Sequence, residues 1–184
     1  MSDIDQVLAR LPQSVCDAVK LRLPELKTCK PHAGKFSLEE LKKSGLPAPA
    51  VLISTLGAKP GVTRSDAAHS FVLSMAAYVV TRDGLGAPRD LAAANICQAL
   101  LTLIPGKRWG EPALGAAQGV HMHTLVSSGA KDITSSLWAV TWGQPVTFHT
   151  VEAAPLGAEL YVAQSPAIGT DNVTGYTQVG EPTS

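Results

Sequence analysis

Residues 70–84, SFVLSMAAYVVTRDG, then 85–90, LGAPRD, and 91–106, LAAANICQALLTLIPG, spell a long strand, a turn and a helix. In the strand, Phe71, Leu73, Met75, Ala77 and Val79 project to one face, and Val72, Ser74, Ala76, Tyr78 and Val80 to the other. Both sets are mostly apolar, which predicts a central strand with cover on each side. Asp83 and Gly84 make the turn, Pro88 suits the first helical position, and Asp90 meets the positive end of the helix dipole.

The helix section from Leu91 to Gly106 contains no charged residue. A helix with a solvated face normally carries Lys, Glu or Arg there, because these keep helix propensity and hydrate easily. At 100° per residue, Leu91, Asn95, Gln98 and Thr102 form one narrow uncharged stripe, and the remaining arc, including Ala93, Cys97 and Leu100, asks for burial. One sheet covers only one side of a helix, so two readings stand: a core helix under a second helix, or a contact with another copy of the chain. The candidate interface residues are Asn95, Gln98 and Thr102, with Ala93 and Leu100 beside them.

Upstream, Ile4, Val7, Leu8, Leu11, Val15, Ala18 and Val19 recur at helical spacing, predicting a helix over Asp3 to Leu23. Pro12 predicts a kink or a restart near Ser14, and Pro24 a stop. This is the other long helix; packed beside the first on one sheet face, it leaves the Asn95, Gln98 and Thr102 stripe for a neighbour. A short strand around Leu26 to Pro31 follows, then a small helix opened by Ser37 with Glu40 three positions on, the capping-box spacing, and closed by Gly45. Ala48 to Leu56 reads as a buried strand, and 57–61, GAKPG, as a loop.

Downstream, 107–119, KRWGEPALGAAQG, is loop-like, and 119–126, GVHMHTLV, reads as a strand with His121, His123 and Leu125 on one side. In the last strong strand, Leu137 to Phe148, Trp138, Val140 and Trp142 share a face. Gly143 and Pro145 require a bulge or an edge, because proline cannot serve a central ladder. Residues 150–184 are rich in Gly, Pro, Ser and Thr, lack Lys and Arg, and carry too few hydrophobics for a core. The expected organisation is one domain over 1–149 and an extended arm over 150–184, with Leu160, Tyr161, Val162 and Tyr176 as residues for docking on a partner.

The 184 residues suffice for one domain with a proper core. Charged residues are scarce at 16 %, and the formal net charge of zero gives no support for nucleic-acid binding. Every Lys and Arg lies at or before Lys131, so 1–131 carry +5 and 132–184 carry −5. Cys16, Cys29 and Cys97 form no C-x-x-C pair, which suggests neither a disulfide framework nor a zinc site. The acidic start MSDIDQ lacks an apolar signal core and no apolar run is long enough to span a bilayer, so a cytosolic, reduced protein without a membrane partner is expected.

His121 and His123 have the H-x-H spacing of many metal sites, but no third ligand follows from any motif, and partly exposed strand histidines or pore-facing polar groups explain them better. Cys97, on an apolar helix, is a poor nucleophile. Ser127, Ser128, His121 and Asp132 could be assembled into a hydrolase triad, yet no G-x-S-x-G elbow fixes their geometry, and the phosphate-binding glycine patterns are absent. The expectation is therefore no catalytic, metal or cofactor site. Trp109, Trp138 and Trp142 are either core residues or interface anchors.

The N-terminal helix, the FVLSMAAYVV strand, the LAAANICQALL helix and the LWAVTWGQPV strand, in that order over Ile4 to Phe148, resemble the small tail-terminator and tail-completion proteins of Mu-like transposable phages and prophages. The resemblance implies an α/β (α+β) fold, with a mixed or antiparallel sheet packed against two main helices. It implies a structural virion protein whose six copies form a ring at the head-proximal end of the tail. That ring would cap the tail tube protein, end its polymerisation, and present a surface to the head-tail connector or stopper protein. A head-closure or neck ring protein is the alternative within that assembly, and a small hydrolase the alternative outside it. The long arm departs from the short chain ends of this group.

Overall fold

In chain order the elements are α1 (Val7–Arg22), β1 (Thr28–Pro31), α2 (Leu38–Lys43), β2 (Ala50–Pro60), β3 (Ala68–Arg82), α3 (Arg89–Leu103), β4 (Gln118–Val126), β5 (Ser135–His149), β6 (Leu160–Val162) and β7 (Thr177–Val179). The structure is a computed structural model that describes residues 6–43, 45–62, 68–83, 87–126, 135–149, 160–162 and 177–179. The chain divides into two compact units, Met1–His149 and Thr150–Ser184.

The first unit is an α+β fold on a five-stranded mixed sheet, in the order β1-β2-β3-β5-β4. β1 runs parallel to β2, and the other neighbours are antiparallel. β3 is the central strand, as its two apolar faces require. Leu73, Met75, Ala77 and Val79 join Val51, Ile53, Val140 and Trp142 beneath the helices, in a cluster with Val7, Leu11 and Val15 of α1 and Ala93, Cys97 and Leu100 of α3. Ala76, Tyr78 and Val80 face the other way, against Leu52, Leu137 and Ala139, under Phe36, Leu41 and Leu46 from the α2 region. Each fully buried Leu or Ile here contributes about 1.5–3 kcal/mol of transfer free energy, which is why alternation in β3 governs the whole arrangement.

Both long helices pack on one sheet face, α1 over β1 and β2 and α3 over β3 and β5. α2 begins with the capping box: Glu40 Oε2 accepts the Ser37 N–H at 2.7 Å, and Ser37 Oγ accepts the Glu40 N–H at 3.2 Å.

Two expectations need correction. α1 does not restart near Ser14 but runs through Pro12 as one helix. The acceptor that proline deprives is the Leu8 carbonyl, on a flank where Leu8 is 46 % exposed and water can serve it, while Val7, Leu11, Val15 and Val19 continue the buried face. Residues Gly57–Pro60 are strand rather than loop: a register shift between Thr55 and Gly57 lets β2 continue against Phe71–Ser74. That outer half of β2 is exposed, so it lacks the apolar pattern that would have revealed it.

Pro145 sits where the ladder can spare its donor. Its carbonyl accepts the Gly115 N–H at 2.8 Å, so its nitrogen also points away from β3, beyond the Gln118–Gly143 pair that starts β4. In the second unit, β6 and β7 pair antiparallel, Leu160 opposite Val179 and Val162 opposite Thr177.

Candidate functional site

α3 is fastened at its start. Asp83 Oδ1 accepts the Arg89 N–H at 3.1 Å, taking one of the donors a helix N-terminus leaves open, and Thr81 Oγ1 donates to the Arg89 carbonyl at 2.7 Å. Ser136 Oγ of β5 donates to the Asp90 carboxylate. The rotation of α3 about its axis is thereby fixed, and with it the face turned outward.

That face is uncharged. Leu91 is 53 % exposed, and Asn95, Gln98 and Thr102 are exposed with it. Thr102 folds its hydroxyl back onto its own helix, donating to the Ala99 carbonyl at 2.9 Å, whereas the Asn95 and Gln98 amides stand outward. Ala93 and Leu100 belong elsewhere. Both are 0 % exposed and face the sheet, so they leave the candidate interface: the helix periodicity that grouped them with the apolar arc places them in this chain's own core.

β4 is the sheet's other uncharged surface. Its residues, QGVHMHTLV, are nearly all exposed, Met122 at 43 % and Leu125 at 49 %, and among the described residues its outer edge pairs with no strand. Register shifts between Gln118 and His121 and between Thr124 and Val126 twist it at both ends, a common protection of a free edge. His121 and His123 do share a face, their rings 6.5 Å apart, opposite Thr141 and Ala139 of β5. Among the described residues no three His, Cys, Asp or Glu side chains gather as a metal site. Ser127, Ser128 and Asp132 lie outside the described residues, as does Tyr176, while Leu160, Tyr161 and Val162 form β6.

A recess of about 320 Å³ opens on the opposite sheet face, floored by Phe36, Leu46 and Leu52 and rimmed by Lys30, Lys43 and Glu40. His32 packs edge-on against Phe36 and Tyr78 within it, and its Nε2, 3.9 Å from Glu40 Oε1, is buried without a hydrogen-bond partner. No sequence signal announces this recess, because its walls come from β1, α2 and β2.

Sequence reasoning also missed Gln144. Fully buried, its Oε1 accepts the Trp109 Nε1–H at 2.8 Å and the Trp142 Nε1–H at 3.2 Å, and its Nε2 donates to the carbonyls of Gly115 at 2.6 Å and Lys107 at 3.2 Å. This one amide pins the segment after α3 to β5 and holds Trp109 at a φ of 55°, a conformation that a bulky residue adopts only when its surroundings impose it. Trp142 is core, and Trp109 and Trp138 are half-buried. Burial pushes the Cys97 thiol up to about 12, which suppresses its nucleophilicity.

No protein-family model matches the chain, and no curated relative does. A solved structure whose name carries no functional description is 18 % identical, over 82 % of this chain and 99 % of the other, at a TM-score of 0.46. A likeness of that degree carries no argument about function.

Proposed function

We propose that the chain is a non-enzymatic virion assembly protein, a subunit of a homohexameric ring that caps a phage tail tube, ends its polymerisation and offers a surface for head joining. The observation that carries this reading is the pair of exposed uncharged surfaces, the α3 stripe of Asn95, Gln98 and Thr102 and the strand β4. Surfaces of this kind release water readily on contact with protein, whereas Lys and Glu are depleted from interface centres because their desolvation opposes binding. The likeness in element order to the tail-terminator group supplies the choice of assembly. Its partners are then further copies of itself, the tail tube protein and a head-tail connector or stopper protein, and its place is the head-proximal end of the tail, assembled in the host cytoplasm. The reading invokes no cofactor, nucleic acid or membrane. Among the described residues no helix is long and apolar enough to cross a bilayer.

Deleting the gene from its phage and imaging the particles tests the proposal. Overlong tails without heads are the expected result. Tails of normal length that fail to join heads assign the chain to the neck instead. Normal particles remove it from this assembly altogether, and a hydrolytic activity lost on alanine replacement of His121 then becomes the reading to pursue.

A further inference from the structure

The fold brings together two cysteines that the sequence keeps thirteen residues apart. Cys16 lies on the buried face of α1 and Cys29 on β1, the edge strand that α1 crosses. Cys29 Sγ donates to the Cys16 carbonyl at 3.7 Å, and the two thiols lie within hydrogen-bonding reach of each other. Cys16 is completely buried and Cys29 is 5 % exposed, so Cys29 is the sulfur nearer to solvent. Cys97, in α3, is 0 % exposed, and burial is the one influence acting on its thiol.

We propose that Cys16 and Cys29 are a modification site, a dithiol that hydrogen peroxide oxidises to an internal disulfide tying α1 to β1. Cys29 is the attacking sulfur. The hydrogen bond from Cys16 holds its pKa below the ordinary 9.0 against the opposing effect of burial, and of the neighbouring charges Lys20 lowers it and Asp17 raises it. Cys16 is pushed the other way by the same hydrogen bond and by burial, so it keeps its proton. The Cys29 thiolate attacks one peroxide oxygen, the O–O bond breaks, and a sulfenic acid and hydroxide result. Cys16 gives its proton to that hydroxide, attacks the Cys29 sulfur, and expels the sulfenic oxygen, which leaves as water after taking a proton from solvent. Two thiols and one peroxide thus become one disulfide and two waters. The bridge sets the two sulfurs about 2.05 Å apart.

The test uses the full chain, reduced, freed of reductant, exposed to hydrogen peroxide, and mapped by peptide mass spectrometry without reduction. The expected result is a peptide linking residues 16 and 29, a loss of two hydrogens from the intact mass, and Cys97 still free to alkylate after denaturation. The oxidised chain should unfold at a temperature higher by on the order of 5–10 °C, because the bridge closes a short loop in the unfolded chain. Cys29→Ala, which keeps a small apolar side chain, should lose both the link and the temperature shift. Two thiols left free, separate sulfinic acids, or a link through Cys97 would each overturn the proposal, and the mapping of the natural chain decides this without any variant.

Discussion

At the scale of the residue, Gln144 shows how much one polar side chain can hold when every hydrogen-bonding position of its amide is used. Its four partners are two indole N–H groups and two loop carbonyls, and of these the Lys107 carbonyl also accepts the Ala117 N–H at 2.9 Å. Gln144→Leu keeps the volume and removes all four bonds, so buried donors and acceptors would be stranded at about 1–3 kcal/mol each where water cannot enter. We expect a net loss of about 3 kcal/mol in chemical denaturation, with the fluorescence of Trp109 and Trp142 shifting as their environment opens. Glu40 gives a prediction with a pH sign. Its carboxylate is held below the ordinary 4.5 by the Ser37 backbone N–H and then by the Ser37 hydroxyl. A folded-state pKa that is depressed contributes stability above the unfolded value and loses it as pH falls through the folded value. The capping box should therefore be intact at neutral pH and open below the ordinary glutamate range. The Ser37 amide resonance should follow Glu40 in an NMR titration and stay still in Glu40→Gln. Of these two residues only Glu40 is legible in the sequence, because a capping box is local: Ser37 and Glu40 are three positions apart. Gln144 meets Trp109 and Lys107 across more than thirty residues, and no local pattern encodes that meeting.

At the scale of the element, the helix that lacked charge resolves into two faces with different work. The downward face, with Ala93, Cys97 and Leu100, belongs to this chain's core, and the upward stripe to solvent or to a neighbour. Charge substitutions separate them. Ala93→Glu puts a carboxylate where no water reaches, and expression as insoluble or unfolded protein is expected, since an unpaired buried charge exceeds the usual margin of stability. Gln98→Glu lies on the exposed stripe and should change the unfolding free energy by no more than about 0.5 kcal/mol. On the proposed function it should also weaken self-association or incorporation into particles, measured by sedimentation and by complementation of a deletion phage. A folded Gln98→Glu that assembles normally would free the stripe of that role. The period of α3 was readable in advance, and so was the two-faced character of β3. The outer half of β2 was not, because a bulge at Thr55–Gly57 and exposed residues erase the alternation that marks a strand. Continuity of α1 through Pro12 was hidden for a related reason: propensity reports what proline costs a helix locally, whereas five buried residues on one face outweigh it only once the sheet is in place.

At the scale of the whole molecule, the two apolar clusters limit what the last 35 residues can be required for. Every described member of either cluster, with the side chains packed against it, lies between Val7 and Phe148, and the β3–β5 ladder closes at the pair Ala68–His149. A chain ending at His149 therefore keeps every described core contact. It should unfold in one cooperative transition with a free energy within about 1 kcal/mol of the full chain, because the two clusters formed within residues 7–148 stay whole. Circular dichroism during urea unfolding checks this directly. The sequence assigns residues 150–184 a charge of −4 with no Lys or Arg, so the truncated chain carries +4 at neutral pH and should bind a cation-exchange resin that the neutral full chain passes. The informative outcome joins the two measurements to function. A truncated chain that is folded yet cannot complement a deletion phage places the arm's work outside this chain's own stability, on a partner. A truncated chain that is insoluble shows instead that residues 150–184 complete the core, and the division of the chain at His149 has then to be redrawn.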